Sequence, residues 1–129
     1  MHNIGWYLAN ARYADGGRGP VECDCYGLAR LVRHHVFGLP LLPEYAGVDP
    51  RDKEQAAPRL REVVGSMQPC APSEGAFVLA FTGDIGGHCG VVVNRDGRPG
   101  VLECDVNINT RWTPLRKWRR LWTRLEYYT

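Results

Sequence analysis

Leu28, Ala29, Val32 and Val36 recur at helical spacing, and Cys25 continues the stripe toward the N-terminus. The pattern predicts a helix that opens at Cys25, runs to about His35 or Val36 and stops near Gly38-Leu39-Pro40. Asp24 falls at the N-cap, where its carboxylate can accept hydrogen bonds from the free N–H groups of the first turn. Upstream, residues 3–13 read as a short helix or an irregular segment packing through Trp6, Tyr7 and Leu8, and Ala14 to Pro20 is a glycine-rich loop. Downstream, Pro40 to Val48 reads as loop. Asp49-Pro50 opens a second helix, with Asp52 and Glu54 early and Arg59 and Arg61 late, matching the helix dipole, and Gly65 ends it.

After a turn-rich linker over Pro69 to Glu74 the pattern shifts to strand. Ala76 to Phe81 is a short apolar run, Thr82 to Gly87 a loop, His88 to Val93 a second run, and Asn94 to Gly100 a hairpin turn. Val101 to Val106 returns, and Leu121 to Tyr128 alternates as a last strand. Helices first and an antiparallel meander after them predict an α+β fold in one domain spanning residues 1–129.

Composition changes this picture little and narrows function more. A chain of 129 residues that is 44% hydrophobic suits one soluble core. No apolar run approaches the ~20 residues of a membrane span, and Met-His-Asn-Ile-Gly-Trp lacks the basic and apolar regions of a secretory signal. The expectation is synthesis in the cytoplasm, no membrane partner, and export only by another vehicle. A net charge of +2 does not point to nucleic acid. Arg111, Arg116, Lys117, Arg119, Arg120 and Arg124 crowd the C-terminal end, read as a solvated basic face. The five cysteines include no Cys-x-x-Cys pair, so neither a disulfide framework nor a cofactor is expected. Cys89 and Cys104 read as small buried strand residues. Cys23, Cys25 and His88 make the one weak metal-binding combination.

The helix start at Cys25 has its own chemistry. The partial positive charge of a helix N-terminus favours thiolate over thiol, so Cys25 is a candidate nucleophile that needs an imidazole and a group to orient it. His2 is at a terminus, and His34 and His35 lie roughly 14–15 Å along the same helix at ~1.5 Å per residue. His88 remains. Beyond the hairpin, Glu103 and Asp105 share one face of a strand, and either can accept a hydrogen bond from the imidazole.

Gly16-Gly17-Arg18-Gly19-Pro20, Asp24-Cys25-Tyr26-Gly27-Leu28, Arg30-Leu31-Val32 and Phe37-Gly38-Leu39-Pro40 together resemble the nucleophile region of NlpC-type papain-like cell-wall cysteine peptidases. The likeness is greatest to the short single-domain branch found as tail-associated proteins of phages and prophages. Gly87-His88-Cys89-Gly90-Val91-Val92 resembles that family's Gly-His-Val-Gly motif, and Trp118 to Tyr128 its last strand. The resemblance covers nearly the whole chain.

It implies a papain-like fold, with the Cys25 helix packed on a small antiparallel sheet, and hydrolysis of peptide bonds in peptidoglycan stem peptides beside D-glutamate and diaminopimelate. Cys25 is then the nucleophile and His88 the acid–base. The third position, where the family carries His and sometimes Asn or Gln, aligns with Glu103 after Val101-Leu102. A shift would bring Asp105 or Asn107 there instead. Arg18, Asp24 and Tyr26 flank the nucleophile as substrate-binding candidates, and Tyr26 or Tyr13 is a candidate second donor to an oxyanion. Implied partners are the stem peptide and other phage tail proteins, with the protein carried in the virion tail. Two other readings stay open at this point: a structural tail-assembly protein with a weak or inactive peptidase fold, and a metal-binding module.

Overall fold

The computed structural model describes residues 2–44 and 52–129. Helix α1 (Ile4–Asn10) starts at Asn3, whose side chain accepts the Trp6 N–H at 2.8 Å, and it buries Tyr7. His2 stacks on the Trp6 ring at 3.4 Å between centroids, so the segment is tied down by its aromatics. Two short strands, β1 (Arg12–Tyr13) and β2 (Glu22–Cys23), pair in parallel and close the glycine loop between them.

Helix α2 (Cys25–His35) begins where the apolar stripe begins. It buries Cys25, Leu28, Ala29 and Val32 on one face, together with the small Gly27 beside them. It ends as its sequence predicts. Gly38 takes φ +67, its N–H reaches the His34 carbonyl at 3.1 Å, and the Leu39 N–H reaches the Arg33 carbonyl at 3.0 Å. Helix α3 (Lys53–Gly65) is capped by Asp52, which accepts from the N–H groups of Glu54 and Gln55. The predicted opening at Asp49-Pro50 lies outside the described residues.

Five strands form one antiparallel sheet: β3 (Phe77–Thr82), β4 (Ile85–Arg95), β5 (Arg98–Asp105), β6 (Asn109–Pro114) and β7 (Arg124–Tyr128), in the order β6-β5-β4-β3-β7. The first three make the expected meander, β6 extends it from β5, and β7 returns to the free edge of β3. The hairpin turn is tighter than predicted. Only Asp96 and Gly97 lie outside the strands, with φ +51 and +75, the conformation a two-residue turn needs to match strand twist.

Two stretches differ from the sequence reading. The predicted loop over Thr82 to Gly87 shrinks to Gly83-Asp84, and β4 is already running at Ile85, so His88 lies within a strand. Gly86 and Gly87 mark close packing rather than a turn. A Cβ on Gly87 would lie 2.6 Å from the Lys53 Cβ, and one on Gly86 2.8 Å from the Phe81 ring. The basic segment before the last strand also has structure. It forms β6, the single turn α4 (Leu115–Trp118) and a 3₁₀ turn over Arg119–Leu121, and strand β7 starts only at Arg124.

The sheet is covered on both faces. Leu28 and Val32 of α2 and Leu60 and Val63 of α3 pack against Phe77, Leu79, Val91 and Leu102. Leu115 and Trp118 cover Val78, Val92 and Val101 on the other face. The molecule is thus mixed α+β with helices on an antiparallel sheet. Among the described residues no helix is long and apolar enough to cross a membrane.

Candidate active site

The glycine loop sets the position of Cys25. A Cβ on Gly27 would fall 2.2 Å from the Gly17 carbonyl oxygen, so the loop rests directly on the first turn of α2. The Asp24 N–H donates to that same carbonyl at 3.1 Å. Asp24 uses both carboxylate oxygens here: Oδ1 accepts the Gly27 N–H at 2.7 Å, and Oδ2 pairs with Arg18 Nη1 at 2.8 Å. Cys25 is held between loop and sheet with 4% of its surface exposed.

His88 and Glu103 meet from adjacent strands. His88 Nε2 lies 2.8 Å from Glu103 Oε1, with both side chains almost wholly buried. The other oxygen of Glu103 is also filled. Trp118 Nε1 donates to Oε2 at 2.6 Å and Arg111 Nε at 3.0 Å. The His88 ring stacks on Trp122 at 5.2 Å, 18° from parallel, and leans on Trp118 at 6.2 Å. Asp105 approaches the opposite nitrogen, with Oδ2 3.6 Å from His88 Nδ1, beyond hydrogen-bonding distance, while Lys53 Nζ sits 3.7 Å from its Oδ1. Asn107 lies in the turn between β5 and β6 at φ +66. Of the three candidates, Glu103 is the one hydrogen-bonded to the imidazole.

That bond determines what His88 can do. With Nε2 committed to Glu103, Nδ1 is the nitrogen left to exchange a proton, and it is buried without a well-aligned hydrogen bond. The charges around it favour an ion pair. Cys25 is pushed well below the ordinary thiol range, first by a hydrogen bond from the Cys89 thiol and then, against the cost of burial, by His88 and Lys53. Burial alone would push His88 down, but Cys25 and Glu103 outweigh it and raise the imidazole to about 9. Burial raises Glu103 in turn, but His88 and Arg111 more than offset this, so it stays below the usual carboxylate value. Cys89 is raised by burial and by its neighbour Cys25, so it remains a thiol able to donate. These shifts all favour thiolate, imidazolium and carboxylate in series.

The role of Cys89 is directly testable. Cys89→Val fills similar volume without a donor. The acid limb of Cys25 alkylation should then move up by roughly one pH unit, the worth of one hydrogen bond to a charged sulfur. Peptide-mapped alkylation rates across pH measure this.

Arg18, Asp24, Cys25 and Tyr26 line one wall of a cleft whose other wall is Ala56, Arg59 and Leu60 of α3. Arg18 is tied to Asp24 and the Gly17 carbonyl, and its guanidinium lies 5.3 Å from the Tyr26 ring centroid. The two tyrosines proposed as oxyanion donors differ. The Tyr26 hydroxyl donates to the Pro43 carbonyl. The Tyr13 hydroxyl is buried without a well-aligned partner, and burial together with the nearby Asp15 and Cys25 raises its pKa, keeping it protonated.

The metal-binding combination is not assembled. The Cys104 thiol donates to the Cys23 carbonyl at 3.3 Å, and among the described residues no three His, Cys, Asp or Glu side chains group as a metal site. Sequence reasoning missed Arg111, Trp118, Trp122 and Lys53. Arg111 belongs to the segment whose sequence reads as a solvated basic face. Arg116, Lys117, Arg119 and Arg120 are indeed exposed, but Arg111 is drawn in by Glu103. Trp118 carried a usable signal, since an indole in a charged segment must find a partner for its N–H when buried.

No protein-family model matches the chain, and comparison with curated proteins finds no match.

Proposed function

We propose that the protein is a cysteine peptidase that hydrolyses peptide bonds in peptidoglycan stem peptides, with a papain-like arrangement of Cys25, His88 and Glu103. The observation that carries this reading is the Glu103–His88 contact at 2.8 Å, beside a Cys25 whose thiol is pushed well below its ordinary range by Cys89 and His88. The choice of stem peptides, and of delivery by a phage tail among other tail proteins, rests on the resemblance of the Asp24-Cys25 and Gly87-His88 motifs.

In the proposed reaction the Cys25 thiolate attacks the scissile carbonyl carbon. The oxyanion that forms takes hydrogen bonds from the Cys25 backbone N–H and the Tyr13 hydroxyl. As the C–N bond breaks, His88 gives its Nδ1 proton to the leaving amine, which departs, and a thioester remains on Cys25. His88, now neutral, takes a proton from water, and the resulting hydroxide equivalent attacks the thioester. The acid product and the Cys25 thiolate separate, and the imidazolium is restored. Glu103 keeps Nε2 protonated and Nδ1 aimed at the sulfur throughout. A carboxylate suits this role because it holds a positive imidazole more strongly than a neutral amide does.

Purified protein incubated with soluble stem peptides should release a new free amine and a product pair heavier by one water in total. The same preparation of Cys25→Ala, folded by circular dichroism, should release none above background. Intact substrate with the wild-type protein excludes a peptidase of this class and favours a tail component with a peptidase fold.

A further inference from the structure

The cleft beside Cys25 has an uneven charge balance. Its lining holds Arg18, Asp24 and Arg59 together with the nucleophile. Arg18 and Asp24 neutralise each other at 2.8 Å. The Cys25 thiolate is balanced by His88. Among the described residues, the charge left facing the cleft is that of Arg59. It lies three residues on from Ala56, on the same side of α3, and lines the cleft together with Ala56 and Leu60. Its contact with Glu62 is long, 3.4 and 3.5 Å, between two side chains that are 48% and 54% exposed. Such a surface pair contributes little and exchanges readily. A carboxylate in the cleft, partly shielded from water and able to take both arms of the guanidinium, competes well for it.

We infer that this cleft is a carboxylate-binding subsite in which Arg59 is the specificity-determining cation, selecting stem peptides that carry a free α-carboxylate beside the scissile bond over those in which it is a primary amide. The inference rests on the peptidase reading for its substrate, and its test separates the two. An amide offers one acceptor and no charge. The acid offers two acceptors and a full charge in the plane of the guanidinium fork. Arg18 does not substitute for Arg59, because its position is fixed by Asp24 and the Gly17 carbonyl. It sets the opposite wall.

The test uses two synthetic peptides that differ only in whether this carboxylate is free or amidated. Wild-type kcat/KM should favour the acid by ~10–100-fold, mostly through KM, the range for a charge-assisted bidentate pair. Arg59→Ala should bring that ratio near one by losing the acid peptide alone, and Arg59→Lys should restore part of it. Glu62→Gln should leave the preference intact. Equal cleavage of both peptides by the wild type, or a preference that survives Arg59→Ala, overturns the inference. Calorimetric binding of both peptides to Cys25→Ala, with and without Arg59→Ala, gives a readout that needs no turnover. If the wild type cuts neither peptide but acid-selective, Arg59-dependent binding persists, the peptidase reading falls and the subsite stands. Binding without selectivity removes the subsite.

Discussion

Glu103→Ala should destabilise the protein by about 3–5 kcal/mol, the range for removing one partner from a buried charged group. The carboxylate serves three donors at once: His88 Nε2 at 2.8 Å, Trp118 Nε1 at 2.6 Å and Arg111 Nε at 3.0 Å. Alanine leaves a buried imidazolium without its counter-charge and a buried indole N–H without an acceptor, each a desolvation cost that packing cannot recover. Glu103→Gln separates stability from charge. It keeps an acceptor for His88 or Trp118 and should lose much less stability. It no longer supports the imidazolium, so the His88 pKa should fall from about 9 and turnover with it. Chemical denaturation of the three proteins measures the first effect, and the alkaline limb of the pH–rate profile the second. The sign follows from linkage. His88 is raised on folding, so its contribution to stability is complete below its unfolded value of about 6.5 and is lost as pH rises through about 9. Glu103 is lowered, so its contribution is present above the ordinary carboxylate pKa and is lost as pH falls through the folded value.

His88→Ala should reduce kcat/KM by about 10³-fold or more while leaving most of the fold in place. General acid–base catalysis alone contributes about 10²–10⁴-fold. Here the imidazole has a second task, because its charge helps hold Cys25 as thiolate. At pH 6 the variant loses both the proton donor and part of the nucleophile. At pH 9, where hydroxide restores more of the thiolate, the deficit should shrink toward the acid–base share alone. Cleavage rates of the same stem peptide at the two pH values read out this difference.

The legible parts of this protein were those encoded over a few residues. The α2 stripe, its Asp24 cap and its Gly38 stop are local patterns, and the structure repeats them nearly residue for residue. The resemblance aligns Glu103 with the third position and the structure pairs His88 with it, but the residue pattern alone does not choose it over Asp105 or Asn107. That choice depends on how far β5 has advanced past β4 where the two strands stop pairing at Val91 and Leu102. The donors behind Glu103 were not legible. Arg111 and Trp118 come from an edge strand and a single helical turn, elements too short for periodicity to announce. Gly86-Gly87 shows the opposite hazard, a local signal with a non-local cause. The pair reads as a loop and is in fact where Lys53 of α3 and the Phe81 ring pack too close to β4 for a side chain.

The most direct test of the proposed site is the pH dependence of Cys25 alkylation in the native protein, followed by peptide mapping so that the other four cysteines do not contribute. A Cys25 thiolate paired with the His88 imidazolium gives rapid alkylation already at about pH 6, with a further change only as His88 loses its proton near 9. A single rise centred near the ordinary thiol value of about 8.5, unchanged in His88→Ala, would contradict it.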